Sequence, residues 1–500
     1  MNKKIFLFIL LLTALNLFIA SWPIINGNIA FHTDIARDFS LLEEIVKNKK
    51  PTLIGPRAGG ISGIFHGPLW LYLNLPAFLI GKGNPVVVGW FWIIFSIFSL
   101  TTTYYTATKI FNKKTGFLAI LLYSAYLISY TSGLFNSFGA LIFFPLFFLF
   151  FSQYLKTLNP INLSLSLFFL GIVIQFQVGF GGLILVLTLI YLLIFIFRRK
   201  RYKDLLFLSI LLIPLSTFII FELRHNFFQI KSLIRFLNTK QVAGEPLFKD
   251  WVLSRIYGLF LDGLSLLPLK NIYTLPATLL LVWLFLKTKD KKARFRKIYR
   301  LYFYFYLGFW FLMFFYKGIV WGFFYWPFLP LTLIILSSLN SLINKKIFLI
   351  FYLYLLLTNF FIRFNFIKNS NCGWKIYRKI AFDIYTDALK EKEFGYYVFS
   401  PDLYSYSGRY AITYMQNNFP KVRSFPYSKK RLTYLIIEPA PSDKPWLNGI
   451  WWKENEVKIK SKPVKIFNYS CGIKAEKYYL TPEEIEIKSN PNLIQSTHFR

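Results

Sequence analysis

The chain has 500 residues, of which 55% are hydrophobic and 21% aromatic, while only 16% are charged. A soluble domain rarely carries so large an apolar fraction, so this composition predicts a membrane protein. The net charge of +35 would suit a nucleic-acid partner. However, the Lys and Arg residues lie mainly in short loops and in the tail, which membrane topology explains better, so no nucleic-acid partner is expected.

Apolar runs of about 20 residues, the length that crosses a bilayer, recur from the N-terminus to residue 365. The first run follows Lys3 and Lys4 and is compatible with a cleaved signal peptide. Because it continues to Trp22 and many runs follow, an uncleaved first span is favoured. The predicted spans, about eleven, are 4–22, 86–108, 116–130, 134–152, 161–177, 180–197, 205–221, 271–286, 299–316, 319–340 and 347–363.

A short acidic motif follows the first span. Residues 31 to 39 read FHTDIARDF, with Thr33 as the expected N-cap of a helix that begins at Asp34. On that helix Asp34, Arg37 and Asp38 share one face. A carboxylate near the apolar boundary has a tunable pKa, so Asp34 is the candidate catalytic base and Asp38 the second candidate. The alternative is a solvated amphipathic helix whose acids balance nearby lysines.

The next segment, PTLIGPRAGGISGIFHGPLW (51–70), is rich in Gly and Pro and contains Arg57 and His66. Such a loop can place backbone amides and a cation near a phosphate, so Arg57 and His66 are candidate substrate-binding residues. The alternative for His66 is a simple hydrogen bond at the membrane interface. The apolar stretch 67–80 is short and interrupted by Pro, which predicts a juxtamembrane or re-entrant helix.

A second long loop opens with FELRHNF (221–227), which places Glu222, Arg224 and His225 at the end of a predicted span. The phosphate of a lipid carrier lies at this depth, and an Arg can hold it through paired charge-assisted hydrogen bonds. The alternative is snorkelling of Arg224 to the interface. The spans themselves carry almost no ionisable residues, unlike those of ion-coupled transporters.

Charge asymmetry between the loops predicts the orientation. The N-terminus and five alternate connections together hold 21 Lys and Arg residues, and their only acids are Asp204 and Asp290. By the positive-inside rule these connections and the N-terminus are cytoplasmic. The long segments 23–85 and 222–270 and the tail are then extracytoplasmic, and the plasma membrane is the expected location.

The last part of the chain has a different composition. From Lys368 onward, charged residues, Pro and Asn return and no apolar run is long enough to cross a bilayer. The segment 374–391 has helical spacing, and YYVFS (396–400) and YLIIE (434–438) are strand-like. These patterns predict a small α/β domain.

The predicted domain organisation is a transmembrane domain over residues 1–366 and a soluble extracytoplasmic domain over 367–500. Both cysteines, Cys372 and Cys471, fall in the second domain, in a compartment where disulfides persist. The sequence leaves open whether they form a bridge.

Several of these segments resemble the family 39 glycosyltransferases, membrane enzymes of the GT-C class related to protein O-mannosyltransferases and lipid A aminoarabinose transferases. TDIARD (33–38) is similar to the family's Asp-x-x-Arg motif, which implies that Asp34 is the catalytic aspartate and Arg37 a substrate-binding arginine. HGPLWLYL (66–73) is similar to the Pro-Pro-Leu segment, with Gly67 in place of the first Pro. FELRHNF, IYTDA (384–388) and YLIIEPAP (434–441) resemble a bacterial subgroup.

The sequence departs from the family pattern at two places. YTSGLFNSFG (130–139) has Asn136 where many relatives carry an acid, and Gln177 stands where relatives often have a His. Both polar residues could line a cavity or join helices by hydrogen bonds. Since no cluster has metal-ligand spacing, no cofactor is predicted, and the departures leave the divalent-metal dependence open.

The resemblance implies a GT-C-like fold and inverting, hexosyltransferase-type transfer from a polyprenyl-phosphate sugar to a glycan, lipid or protein acceptor, in contact with membrane lipids. A non-enzymatic transporter or flippase of lipid-linked sugars would share the spans but needs a continuous polar path. A sensor or scaffold whose tail binds a partner is the third hypothesis.

Overall fold

The structure is a computed structural model that describes residues 3–239, 248–259, 293–318, 320–369, 372–402, 404–442, 444–446 and 448–495. The chain forms two compact units. The first unit comprises Met1–Ser21, Pro51–Leu73 and Trp92–Phe366. The second unit comprises Trp22–Lys50, Asn74–Phe91 and Ile367–Arg500. The predicted division at residue 366 stays a prediction.

Helices dominate the chain up to residue 369. In order they are Lys3–Ile25 (α1), Thr33–Asn48 (α2), Leu69–Ile80 (α3), Pro85–Ile110 (α4), Lys113–Leu127 (α5), Asn136–Thr157 (α6), Pro160–Phe176 (α7), Val178–Arg199 (α8), Ser216–Arg224 (α9), Phe228–Asn238 (α10), Phe248–Tyr257 (α11), Ala293–Met313 (α12), Leu329–Ser338 (α13) and Lys345–Asn369 (α14). Within the described residues, five helices are long and apolar enough to cross a membrane, or six if one bent pair counts as a span.

The helical architecture expected of a polytopic membrane protein is therefore confirmed, while the number of eleven spans stays a prediction. The predicted span 271–286 lies outside the described residues. The helix predicted in 67–80 is present as α3, and its juxtamembrane or re-entrant placement stays a prediction.

A proline interrupts the predicted span 205–221. A 3-10 segment, Tyr202–Leu212, meets α9 at an angle of 70°. Pro214 lies at the break. Proline has no backbone N–H to donate, and its ring clashes with the preceding helical turn, so a regular helix does not continue through it. Its Cγ packs so closely on Gly171 that a Cβ there would lie 2.3 Å away.

Aromatic packing fills the core of the first unit. Phe328, just before α13, has ring-centroid distances of 5.3 Å to Phe144 and 5.1 Å to Phe180 in edge-to-face geometry. Phe309 on α12 lies 5.5 Å from Phe328. These quadrupole-favoured contacts join four segments of the bundle.

The second unit contains a five-stranded sheet. The strands are Glu393–Phe399 (β1), Arg423–Pro426 (β2), Leu432–Ile437 (β3), Lys465–Asn468 (β4) and Lys474–Tyr479 (β5), in the spatial order β2-β1-β3-β5-β4. β1 is parallel to both β2 and β3, with Tyr397 opposite Leu435, and β5 is antiparallel to β3 and β4. The predicted α/β domain in the tail is confirmed.

Helices complete this unit. Trp374–Asp387 (α15) and Tyr406–Gln416 (α16) are the longer ones, and Gly449–Trp451 (α17), Pro482–Glu486 (α18) and Asn492–Gln495 (α19) are short. Cys372 and Cys471 are joined by a disulfide, with 5.9 Å between their Cα atoms. The bridge that the sequence left open is therefore present.

Helix α2 belongs to the second unit and packs its apolar face there. Phe39 lies 5.4 Å from Tyr410 on α16, and Phe31, just before α2, lies 5.0 Å from Trp374 on α15. The aromatic contacts hold the start of α2 against the helices of the α/β domain.

Candidate functional site

The first turns of α2 carry the predicted acidic motif. Arg37 Nη1 donates to Asp34 Oδ1 at 2.7 Å, and Arg37 Nη2 donates to Asp38 Oδ1 at 3.0 Å. The helical spacing thus brings both carboxylates to one guanidinium, as the sequence predicts. This arrangement holds two negative charges close together because the cation lies between them.

The two carboxylates differ in access. The Asp34 side chain is 36% exposed, whereas that of Asp38 is 7% exposed. Burial alone would lower the pKa of Arg37, but the carboxylates of Asp38 and Asp34 raise it overall, so the guanidinium stays charged. Of the two acids, Asp34 is therefore the more accessible.

Thr33 is not the N-cap of α2, contrary to the sequence prediction. The helix includes Thr33, its N-cap is His32, and no side chain caps it. The Thr33 hydroxyl instead donates to Asp402 Oδ2. A tertiary contact explains the difference: the Thr33 hydroxyl bonds to a carboxylate of the α/β domain and not to the backbone of its own helix.

Asp402 belongs to the loop after β1 and is held there by its other oxygen. Oδ1 accepts from the Ser400 hydroxyl and from the Tyr404 amide, the latter at 2.9 Å. Asp402 therefore links the loop to the residue directly before Asp34.

A second acid follows the neighbouring parallel strand. Glu438 comes after β3, and its Oε1 accepts from the Tyr377 hydroxyl at 2.7 Å. Burial raises the pKa of Glu438 to about 7; the Tyr377 hydrogen bond opposes this rise, and the charge of Asp402 adds to it. From β1 the chain continues to β2 on one side of the sheet, whereas from β3 it continues to β4 on the other side, so the direction of the connections reverses between β1 and β3. Ligands of open α/β sheets bind at the carboxyl ends of the strands at such a switch point.

Sequence reasoning assigned no site residue to the tail and so missed Asp402 and Glu438. A signal was available. YYVFS and YLIIE are strand-like in sequence, and polar residues that directly follow adjacent parallel strands meet at one edge. What no sequence pattern could show is that α2 lies at the same edge.

Backbone contacts fix the segment that leads into α2. Trp374 N donates to Ile29 O at 3.0 Å, and Lys375 N donates to Asn28 Oδ1 at 3.0 Å. The buried Ser407 hydroxyl donates to Phe31 O at 2.9 Å. The position of Asp34 therefore depends on the α/β domain.

In the first unit, the Gly-rich segment forms a tight hairpin. Gly55 N donates to His66 O at 2.8 Å, His66 N donates to Pro56 O at 2.9 Å, and Arg57 pairs with Phe65 in an antiparallel bridge. The Arg57 side chain is exposed, whereas His66 is buried and its Nδ1 accepts from Val178 N at 3.3 Å. The geometry of His66 fits the hydrogen-bonding alternative of the sequence analysis.

Gly67, at the position where the family that the sequence resembles has Pro, has a packing role. Its amide donates to Gln175 O at 2.8 Å, and a Cβ at Gly67 would lie 1.7 Å from Gln175 Oε1. A proline would lose the hydrogen bond and clash, so this departure from the family pattern matches its surroundings.

The other two departures join helices. Asn136 Nδ2 donates to Phe176 O at 2.8 Å, and Gln177 Nε2 donates to Ser137 Oγ at 3.1 Å. Both side chains are buried. They fit the helix-packing alternative for these polar residues.

The FELRHNF segment has a different organisation from the acidic motif of α2. Glu222 is buried, and its two oxygens accept from Gln229 N at 3.1 Å and Ile230 N at 3.2 Å in the first turn of α10. The His225 ring stacks on Phe221 at 4.2 Å, and Arg224 is exposed. Glu222 therefore acts as a helix cap.

Across the part of the chain that the structure describes, no group of three or more His, Cys, Asp or Glu residues has the arrangement of a metal site.

The chain has the fold of the GT-C-like membrane glycosyltransferases, as a comparison with solved structures shows. It superposes on ArnT from Cupriavidus metallidurans in the apo state with a TM-score of 0.60 and 9% identity, covering 94% of this chain and 97% of that one. ArnT from the same organism bound to undecaprenyl phosphate gives a TM-score of 0.54 and 10% identity over 97% and 99% of the two chains. No family model matches the sequence, and no curated protein matches it. The similarity to the two ArnT structures confirms the predicted GT-C-like fold.

Proposed function

We propose that the chain is a hexosyltransferase-type glycosyltransferase of the plasma membrane. In this proposal it moves a sugar from a polyprenyl-phosphate donor to a glycan, lipid or protein acceptor at the extracytoplasmic face. The observation that carries the proposal is the accessible Asp34 carboxylate, bound by Arg37 at the start of α2, in a chain whose fold resembles ArnT over nearly its whole length.

Asp34 is proposed as the general base. Its carboxylate takes the proton of an acceptor hydroxyl or amine while the acceptor atom forms a bond to the anomeric carbon. The bond between that carbon and the phosphate oxygen breaks, and the lipid phosphate leaves with the electron pair. Arg37 holds the carboxylate in place, and Asp38, which is less exposed, is the second candidate.

The leaving phosphate needs positive charge around it. Arg57, Arg224 and His225 remain proposed substrate-binding residues because their side chains are exposed. His66 and Glu222 are weaker candidates, since both are buried and bonded to backbone amides. A polyprenyl-phosphate donor is supported by the second ArnT structure, in which that protein is bound to undecaprenyl phosphate.

The test is to incubate membranes that contain the full chain with radiolabelled polyprenyl-phosphate sugars and to identify the labelled product. Asp34→Asn should abolish transfer, while Asp250→Asn, at an exposed acid on α11, should leave it unchanged. Transfer that persists in Asp34→Asn would move the base to another residue.

A further inference from the structure

Arg363 is a buried cation on α14, a helix that is long and apolar enough to cross a membrane. The residue is 7% exposed, and among the described residues it forms no ion pair with an Asp or Glu. Charged residues inside spans are rare because their burial is costly, so one without an acidic partner marks a candidate functional site.

The depth of Arg363 follows from the geometry of α14. The helix begins at Lys345, and Arg363 lies 18 positions later, which corresponds to about 27 Å along the axis at 1.5 Å per residue. The hydrocarbon core of a bilayer is about 30 Å thick. With Lys345 placed at one boundary of the core, Arg363 lies near the opposite boundary, close to the depth of lipid phosphates.

The neighbouring helix supports this placement. Tyr352 Oη on α14 donates to Leu118 O on α5 at 2.7 Å, and Arg363 Nη1 donates to Ser129 Oγ just after α5. The two contacts are 11 positions apart on both segments, so the helices run parallel. Arg363 thus lies beside the C-terminal end of α5 and the residues that directly follow that helix.

The guanidinium is turned into the protein and is held there. Its Cζ lies 4.4 Å from the ring centroid of Tyr126 and 4.9 Å from that of Tyr130. A snorkelling arginine would instead extend to the interface, and it would be exposed on the protein surface. Cation–π contacts and the Ser129 bond fix the plane of the group before any ligand binds.

One edge of the guanidinium has an unpartnered donor among the described residues. Nη1 donates a hydrogen bond to Ser129 Oγ, whereas Nε is buried and has no hydrogen-bond partner among the residues that the structure describes. The Nε side of an arginine donates two parallel hydrogen bonds to a phosphate or carboxylate. Since no carboxylate from the described part of the chain occupies it, an anionic ligand is the natural partner.

We infer that Arg363, with Ser129, Tyr126 and Tyr130, binds the phosphate of a polyprenyl phosphate at the membrane boundary. This inference rests on the proposed function for its choice of lipid, and on depth, burial and missing counter-charge for the site itself. An inorganic phosphate offers the same oxygen atoms without the lipid chain, so the test includes both.

The experiment measures binding of undecaprenyl phosphate to the purified full chain in nanodiscs. Arg363→Gln should weaken binding at least tenfold, the usual effect of losing charge-assisted hydrogen bonds, and Arg363→Lys should weaken it less. Arg199→Gln is the matched control, because Arg199 also lies on a long apolar helix and contacts an aromatic ring but is exposed. Undecaprenol should bind wild type and Arg363→Gln alike.

Stability separates a binding role from a structural one. A ligand-site arginine without an acidic partner should leave the Tm of the ligand-free protein within a few degrees when replaced by Gln. The rise in Tm that undecaprenyl phosphate causes should then disappear. A collapse of folding in both Arg363→Gln and Arg363→Lys would show a structural role and overturn the inference, as would unchanged binding by folded Arg363→Gln.

Other anions test the lipid assignment. Inorganic phosphate or phosphatidylglycerol that binds wild type as tightly as undecaprenyl phosphate would overturn it. Asp34→Asn should bind undecaprenyl phosphate like wild type, because binding needs no general base. If binding depends on Arg363 but no sugar is transferred, the proposed function alone is wrong. If sugar is transferred but binding does not depend on Arg363, this inference alone is wrong.

Discussion

The start of α2 and the FELRHNF segment carry the same types of charged residue but have different structures. Each places an acid near an arginine beside a predicted span. In α2 the carboxylate of Asp34 is bound by a side chain and remains 36% exposed. In FELRHNF both oxygens of Glu222 are occupied by backbone amides of α10. An acid and a cation in one motif therefore do not define a site; what matters is whether the carboxylate keeps room for a substrate.

The strongest way to break this comparison is to neutralise each acid. We expect Asp34→Asn to reduce transfer at least a hundredfold, because a general base is lost, with little change in Tm. Glu222→Gln should instead lower the free energy of unfolding by about 1 kcal/mol, as loss of a helix cap does, while folded protein keeps most of its activity. Radiolabel transfer and thermal unfolding, measured for both variants, test these two expectations. The opposite pattern would exchange the two roles.

The disulfide gives the second prediction, because it constrains only the unit that contains α2. Cys372 and Cys471 are 99 positions apart, and closing a loop of that length contributes about 4.7 kcal/mol in the chain-entropy model. Replacing both by Ser should make residues after 372 sensitive to protease and reduce transfer. The helices of the first unit should stay resistant, as limited proteolysis would show.

Dithiothreitol provides the control for that prediction. It should reproduce the effect in wild type and add nothing in the double Ser variant, since the chain has two cysteines and both are in the bridge. Equal protease resistance with and without the bridge would contradict the expected dependence.

Glu438 gives the third prediction through its pKa of about 7, above the ordinary 4.5. Between these values the folded state holds a proton that the unfolded state has lost. The free energy of unfolding should therefore fall as pH rises from about 4.5 to about 7, by on the order of 2 kcal/mol. Thermal unfolding at pH 5, 6, 7 and 8 measures the slope.

Glu438→Gln should remove that part of the slope. Glu393→Gln is the matched control, because the Glu393 side chain is 50% exposed and should leave the slope unchanged. A slope that is the same in Glu438→Gln and wild type would show that Glu438 titrates normally.

Local features were predictable from the sequence, whereas contacts between distant segments were not. The helical spacing predicts α2 and its shared face, and the strand-like runs predict β1 and β3. The prediction of Thr33 as an N-cap is wrong because Asp402, 369 positions later, takes its hydroxyl. No local pattern contains that information.

The same limit applies inside the first unit. Pro214 signals a break in principle, but the apolar composition around it is typical of one span. The burial of Arg363 could not be predicted from the sequence, because the residue ends an apolar run, where arginines usually snorkel to the interface. Only the positions of Ser129, Tyr126 and Tyr130 show that its side chain turns inward.

The smallest expected effect tests the link between the α/β domain and the start of α2. Thr33→Val and Asp402→Ala should each reduce transfer about tenfold or less, because loss of one hydrogen bond shifts the residue beside Asp34. The double variant should be no worse than the poorer single one, since both remove the same contact. Thr386→Val, at an exposed threonine on α15, should have no effect. Additive losses would mean that Asp402 acts on the site by a route other than Thr33, such as its charge near Glu438.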